Sequence, residues 1–264
     1  MRVEIRVLGP VEVVVDGVSV VPSASKPSQL LAMLALNAGH VVTTAALTEE
    51  IWGYQPPPSG VPTLRTYILK LRRKLQKAGV PPKDILITRR TGYLLDVAPD
   101  DVDAMRYDRL SAAGHTAVNA GDHETASRTL GEALDLWRGQ ALADVPTGSH
   151  LGIEAVRLEE NRLGDLHLRI EADLRLGRHH QLLGELATLC AQHPLLENFC
   201  AQHMIALYLS GRQSQALDAY RRLRATMVEQ LGVEPSARMS QLHHGILTGH
   251  VLTDEEHWSE KRAS

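Results

Sequence analysis

The sequence predicts a mainly α-helical protein in two parts, a mixed α and β segment over 1–97 followed by an all-helical segment over 98–249. Three observations carry this reading. Apolar residues alternate with charged ones over 3–15, the two-residue period of strands. From about residue 25 the apolar spacing changes to i, i+3, i+4, the period of helices. The charge also changes sign near residue 97. Residues 1–97 hold 12 Lys+Arg against 7 Asp+Glu, a net of +5, and residues 98–264 hold 16 against 24, a net of −8. The overall charge of −3 conceals this split.

Taken in order, Val3, Ile5, Val7, Val11, Val13 and Val15 occupy odd positions with Arg2, Glu4, Arg6 and Glu12 between them, which describes half-buried antiparallel strands. Gly9-Pro10 and Asp16-Gly17 supply the turns, the second a strong hairpin signal before a strand at Val18–Val21. After Pro22, Ser25 or Ser28 caps a helix carrying Leu30, Leu31, Met33, Leu34 and Leu36, which Gly39 ends. Val41-Val42 is a short extended piece. Thr43 or Thr44 then caps a brief helix closed by Gly53, and PPPSG at 56–60 breaks the chain.

The helix expected over 62–78 places Leu64, Tyr67, Ile68, Leu71, Leu75 and Ala78 on one stripe. Thr66, Leu69, Lys70, Arg73 and Lys77 fall opposite, with Arg65 and Arg72 on the flanks. Gly79 and the following Val-Pro-Pro stop it. Ile85–Thr88 and Tyr93–Val97 read as strands around Arg89-Arg90-Thr91-Gly92, a tight loop with a glycine available for positive φ. Sheet, helix, helix, basic helix and hairpin in this order are the layout of a winged helix-turn-helix with an added N-terminal sheet.

Pro99-Asp100-Asp101 marks the boundary, and all that follows is expected to be helical. Gly121, Gly177 and Gly211 each separate two helical segments. The last two are 34 residues apart, the period of tetratricopeptide helical hairpins, whereas the first interval of 56 does not fit. Residues 250–264 lack a periodic face and are expected to be a disordered tail.

Hydrophobic residues make up 44%, enough for a core. The longest unbroken apolar run, Leu30–Leu36, is far short of the roughly 20 residues that span a bilayer. The N-terminus lacks the apolar stretch of a signal peptide, and two cysteines make no disulfide framework. A soluble, cytoplasmic protein with no membrane association is expected.

Within 61–93, 9 basic residues face 1 acidic residue. A major groove admits one helix, and Arg and Lys supply both phosphate contacts and bidentate bonds to guanine. By itself the basic face is equally a solvated amphipathic surface. Arg89 and Arg90 at the tip of the next hairpin add a second basic element, placed as a wing to enter a minor groove or clasp phosphate. Leu69 is suited to a thymine methyl, although exposed leucines need no purpose.

VPTLRTYILKLRRKL followed by ILITRRTGYLLDV resembles the recognition helix and wing of OmpR-type DNA-binding domains. ALDLWRGQALADV at 133–145, LYLSGRQSQALDAYRRLR at 207–224 and LGVEPSARMSQLHHGIL at 231–247 resemble the bacterial transcriptional activation domain. In this order, over about 3–248, the motifs are similar to the Streptomyces antibiotic regulatory protein family. The resemblance implies an OmpR-like winged helix over 1–97 and a tetratricopeptide-like helical domain over 98–249. It implies an activator of a biosynthetic gene cluster that binds direct repeats of double-stranded promoter DNA, self-associates there and engages RNA polymerase holoenzyme. Carried over by position, the DNA-facing residues are Arg65, Thr66, Lys70, Arg72, Arg73, and Arg89 or Arg90; the face arithmetic adds Lys77. Neither a receiver module, and hence control by aspartyl phosphorylation, nor a nucleotide-hydrolysing module is implied, and no G-x-x-x-x-G-K-[ST] occurs.

Two other classes compete. The basic segment of a helical scaffold would also bind an acidic protein. Cys190, His193, Cys200 and His203 form a C-x2-H…C-x2-H pattern superficially like a zinc site, but Pro194 interrupts it and the spacing fits no zinc module. His179-His180 and His243-His244 are adjacent on helices and so point about 100° apart. No nucleophile with a base, paired carboxylates or phosphate loop converges, so neither an enzyme, a cofactor nor a metal is expected. Trp52, Trp137 and Tyr220 read as core.

Overall fold

A computed structural model describes residues 3–19 and 25–249. The expected strand residues Val20 and Val21 and the expected tail at 250–264 lie outside the described residues. Strands β1 (Val3–Arg6), β2 (Glu12–Val15) and β3 (Val18–Ser19) form an antiparallel sheet in that order, with Val3 opposite Val15 and Ile5 opposite Val13. The odd-numbered residues Val3 to Val15 are buried as the alternation requires, while Arg6 on the other face pairs with Glu4 at 2.8 Å and Glu12 at 3.4 Å. Asp16 and Gly17 both take positive φ (46° and 84°), the backbone of a two-residue hairpin that matches strand twist.

Helix α1 (Ser25–Leu36) begins at Ser25, which leaves Ser28 buried inside it rather than at its cap. Strand β4 (Val41–Thr43) leads into α2 (Thr44–Trp52), whose cap is Thr43: its hydroxyl accepts the Ala46 amide at 3.1 Å. Helix α3 (Gly60–Lys77) buries Leu64, Ile68, Leu71 and Leu75 against the preceding helices, each contributing roughly 1.5–3 kcal/mol of burial. Trp52 stacks on Tyr67 with centroids 6.3 Å apart, tying α2 to α3. A single turn, α4 (Pro82–Ile85), precedes β5 (Leu86–Thr88) and β6 (Gly92–Leu95), and the second sheet runs β4-β6-β5.

A 3-10 turn at Pro99–Asp101 leads to α5 (Asp103–Ala120), followed by α6 (His123–Leu134), α7 (Ser149–Arg175), α8 (His179–Gln192), α9 (Glu197–Leu209), α10 (Gln213–Leu231) and α11 (Ala237–Thr248). One expectation fails here: residues 135–148 are not helical. Their backbone is drawn instead onto the N-terminal sheet. The amides of Arg138, Leu142 and Ala143 donate to the carbonyls of Leu8, Val7 and Gly9, and Asp144 accepts the Val11 amide at 2.7 Å. This irregular stretch and the 27-residue α7 also explain why Gly121 and Gly177 are too far apart for one repeat.

The chain forms two compact units, residues up to 120 together with 128–166, and 121–127 together with those from 167 onward. The expected division at 97/98 falls inside the first. The physical reason is a set of polar ties within that unit. Asp103 accepts the amides of Val7 and Leu8 at 2.8 and 3.0 Å, and Ile5 bridges Val102 in parallel. Glu50, 3% exposed, accepts the amides of Gly148, His150 and Leu151 at the start of α7 and the Gln29 side chain. Buried Asp165 on α7 receives the hydroxyls of Tyr107 and Ser111 and lies 2.7 Å from His115 Nε2, all on α5.

In the second unit α8 packs on α9, α9 on α10, and α10 on α11, around Met204, Leu207, Ala216, Leu223, Met227 and Ile246. Gly177 and Gly211 adopt nearly the same left-handed conformation (φ 74° and 73°), and the amides after them close the same turn, Arg178 to Asp173 and Arg212 to Leu207. The 34-residue period is therefore a repeat of backbone geometry. No helix among the described residues is long and apolar enough to cross a membrane.

Candidate nucleic-acid interface

Helix α3 presents its polar arc outward because its apolar stripe is consumed by packing. Arg65, Thr66, Leu69, Lys70, Arg73 and Lys77 are all exposed, Leu69 to 53%. The Thr66 hydroxyl donates to the Pro62 carbonyl at 3.2 Å, so its methyl and its lone pairs remain for an external contact. Lys70 Nζ lies 5.9 Å from the Tyr67 ring centroid, a cation–π position that restrains its stem. Lys77 lies in the last turn, where its charge also complements the carbonyl end of the helix. Gln76 is exposed on the same arc beside Arg73. A charge count passes over it, but its three-residue spacing from Arg73 is the signal that places it there.

Arg72 differs from its neighbours. Its Nε donates to the Leu86 carbonyl at 3.1 Å and its Nη2 to Thr88 Oγ1 at 2.9 Å, so the guanidinium braces α3 against the wing strand β5. This contact brings the helix and hairpin into one surface. At the hairpin tip Arg89 and Gly92 exchange backbone hydrogen bonds (2.9 and 3.4 Å), which leaves Arg90-Thr91 as the turn, with both arginines exposed.

Gly92 does not take the positive φ expected of it. Its requirement is space: a Cβ there would lie 1.9 Å from the Val42 carbonyl oxygen and 2.8 Å from Thr43 Cα, because β4 pairs directly with it. The Thr44 amide donates to Thr91 O at 2.9 Å. The wing is thus tied at its base to the start of α2 and at its outer edge to Arg72.

Electrostatically, Arg65, Lys70, Arg73, Lys77, Arg89 and Arg90 form no ion pair among the described residues. An external polyanion meets them without displacing a carboxylate. The Cys/His pattern has another arrangement. Cys190 Sγ lies 3.8 Å from His203 Nδ1, while His193 packs by the Phe199 ring, and no metal-holding group of three or more His, Cys, Asp or Glu occurs among the described residues. Trp137 is buried edge-on to Tyr107, whereas Trp52 and Tyr220 are only half-buried.

Comparison with known proteins agrees with this geometry. Residues 19–95 match the family described as "Transcriptional regulatory protein, C terminal", and residues 102–247 match "Bacterial transcriptional activator domain". The chain belongs to the Streptomyces antibiotic regulatory protein family of transcriptional activators. It is 51% identical over 249 residues to the regulatory protein DnrI of Streptomyces peucetius, covering 92% of each chain. It is 37% identical to the transcriptional regulator RedD of Streptomyces coelicolor, covering 93% of this chain and 70% of RedD. The solved structure of Mycobacterium tuberculosis EmbR in complex with a low-affinity phosphopeptide superposes with a TM-score of 0.87 at 34% identity, over 95% of this chain and 66% of EmbR. The family is thus one of DNA-binding regulators, and α3 and the β5–β6 hairpin both lie within the residues matched by the first of the two models.

Proposed function

We propose that this activator reads double-stranded promoter DNA with α3 in the major groove and the 89–91 turn against the neighbouring backbone. The observation that carries the reading is that Arg65, Lys70, Arg73 and Lys77 on α3 and Arg89 and Arg90 at the wing tip have no carboxylate partner among the described residues. Arg73, Lys70 and Arg65 are the candidates for base edges, with Thr66 beside them. Lys77, Arg89 and Arg90 are assigned to phosphate, and Arg72 positions the wing and leaves Nη1 for a phosphate. The operator is a direct repeat, so protomers sit head to tail rather than about a two-fold axis. Engagement of RNA polymerase holoenzyme and control of an antibiotic or secondary-metabolite cluster in the cytoplasm complete the proposal. The all-helical segment supplies the contacts for self-association on the operator.

The test is selection of genomic fragments by the full chain, followed by footprinting and fluorescence anisotropy on the recovered site. A protected pair of tandem half-sites, lost in Arg73→Ala with thermal stability retained, is expected. Absence of any protected fragment, or protection unchanged by Arg73→Ala and Arg65→Ala together, overturns the assignment of α3.

A further inference from the structure

The chain has two cysteines, and both sit at one end of the α8–α9 helical hairpin: Cys190 in the last turn of α8, Cys200 in the first turn of α9. Cys190 is half-buried and packs against the apolar cluster that contains Cys200. Its Sγ is 3.8 Å from Nδ1 of His203, one turn further along α9 on the face that carries Cys200. Cys200 is buried and donates its thiol hydrogen toward the Ala219 carbonyl at 3.7 Å. Neither thiol has a part in DNA recognition, and a pair of small hydrophobes would not need a histidine against the outer one.

We propose that Cys190 and Cys200 are a peroxide-responsive thiol pair that closes to an intramolecular disulfide between α8 and α9. Reactive cysteines are partly accessible and sit among cationic or hydrogen-bonding groups, whereas structural ones are enclosed by apolar atoms. Cys190 meets the first description and Cys200 the second, which is the division of labour between an attacking and a resolving thiol.

The charges around the pair favour that order. The neighbouring Cys200 thiol holds the Cys190 thiol well below its ordinary range against the opposing effect of burial, with His203 and Arg222 adding to it. The Cys190 sulfur and burial push Cys200 up, Glu197 adding to the rise and Arg222 opposing it. The thiolate of Cys190 attacks one oxygen of a hydroperoxide, the O–O bond breaks, and the leaving oxygen departs as water with a solvent proton. Cys190 is then a sulfenic acid. The Cys200 sulfur attacks it, the S–O bond breaks, and the hydroxyl leaves as water with the Cys200 proton. Two thiols are oxidised by two electrons and one hydrogen peroxide is reduced to two waters.

The experiment treats the full chain with hydrogen peroxide and follows titratable thiols together with intact mass under non-reducing conditions. Both thiols should disappear with a mass loss of two hydrogens. A peptide cross-link between Cys190 and Cys200 should form and be reversed by dithiothreitol. Cys200→Ala should stop at a Cys190 sulfenic acid trapped by dimedone, and Cys190→Ser should slow the loss of the remaining thiol at least ~10-fold, as a buried thiol requires. Circular dichroism checks that each variant is folded, and Cys200→Val is the packing control should alanine unfold it. Two thiols still titratable after peroxide, over-oxidation of Cys190 without a cross-link, or a disulfide formed only between chains would each overturn the proposal.

Discussion

The outer face of α3 with its wing leaves its arginines without carboxylates, whereas the second compact unit pairs several of its own. On α3 and the hairpin tip, Arg65, Arg73, Arg89 and Arg90 are exposed without a carboxylate among the described residues. In the second unit, Arg169 meets Asp173 and Glu185, Arg178 meets Glu124 and Asp173, Arg221 meets Asp218, and Arg224 meets Glu234. Arginines that are already paired hold helices together and present little net field. Arginines left unpaired destabilise nothing in water but attract a polyanion, since each phosphate they neutralise releases counterions. The contrast separates charges that build the fold from charges that serve a partner.

The sharpest way to break that comparison is salt. If Lys77, Arg89, Arg90 and Arg72 each neutralise a phosphate, DNA affinity should fall about 10²-fold between roughly 50 and 200 mM salt. A flat titration by anisotropy would place the unpaired cations outside the interface. Glu50 tests the paired side in the first unit. Glu50→Ala strands three amides at the start of α7 together with the Gln29 side chain, and should cost about 3 kcal/mol in denaturant unfolding. A change within error would mean that other groups satisfy those amides.

A pair of arginine substitutions then dissociates the two roles. Arg73→Ala should weaken DNA binding by ~1–3 kcal/mol and leave the thermal midpoint alone. Arg169→Ala should do the reverse, losing roughly 1–2 kcal/mol of stability with unaltered DNA affinity, because its guanidinium is largely buried between two carboxylates. Arg72→Ala lies between them and should show both losses, since Arg72 braces the wing.

The smallest expected effect is a dependence on pH. Burial, then the nearby charges of Arg221 and His244, hold the imidazole of His243 below its ordinary value of 6.5. The folded state therefore binds fewer protons there than the unfolded chain does, and stability is lost as pH falls below about 6.5. His243→Gln should flatten that slope in thermal melts recorded from neutral to mildly acidic pH. An unchanged slope would assign it to another group.

Legibility from the sequence followed the range of the interaction responsible. The alternation of Val3 to Val15, the Asp16-Gly17 turn and the stripe of α3 are local periodicities, and each appears in the structure where the pattern puts it. The polar arc of α3 was readable for the same reason. The role of Arg72 was not, because its partners Leu86 and Thr88 are 14 and 16 residues away on a strand. Gly92 was readable as special but for the wrong cause: its neighbour is β4, about fifty residues earlier in the chain. Residues 135–148 contain helix formers and still run irregularly, because the acceptors that satisfy their amides, Val7, Leu8 and Gly9, lie more than 120 residues upstream.

By itself the sequence determined the order of elements in the first 97 residues, the buried stripe of α3, the separation of positive from negative charge along the chain, and the family. These follow from spacing and composition, which act over a few residues at a time. Only the tertiary structure decided where one compact unit ends and the next begins, which arginines are neutralised, and that Cys190 meets His203 beside the cluster holding Cys200. Those outcomes depend on which side chains come within hydrogen-bonding distance after distant segments pack, and no local pattern encodes that distance.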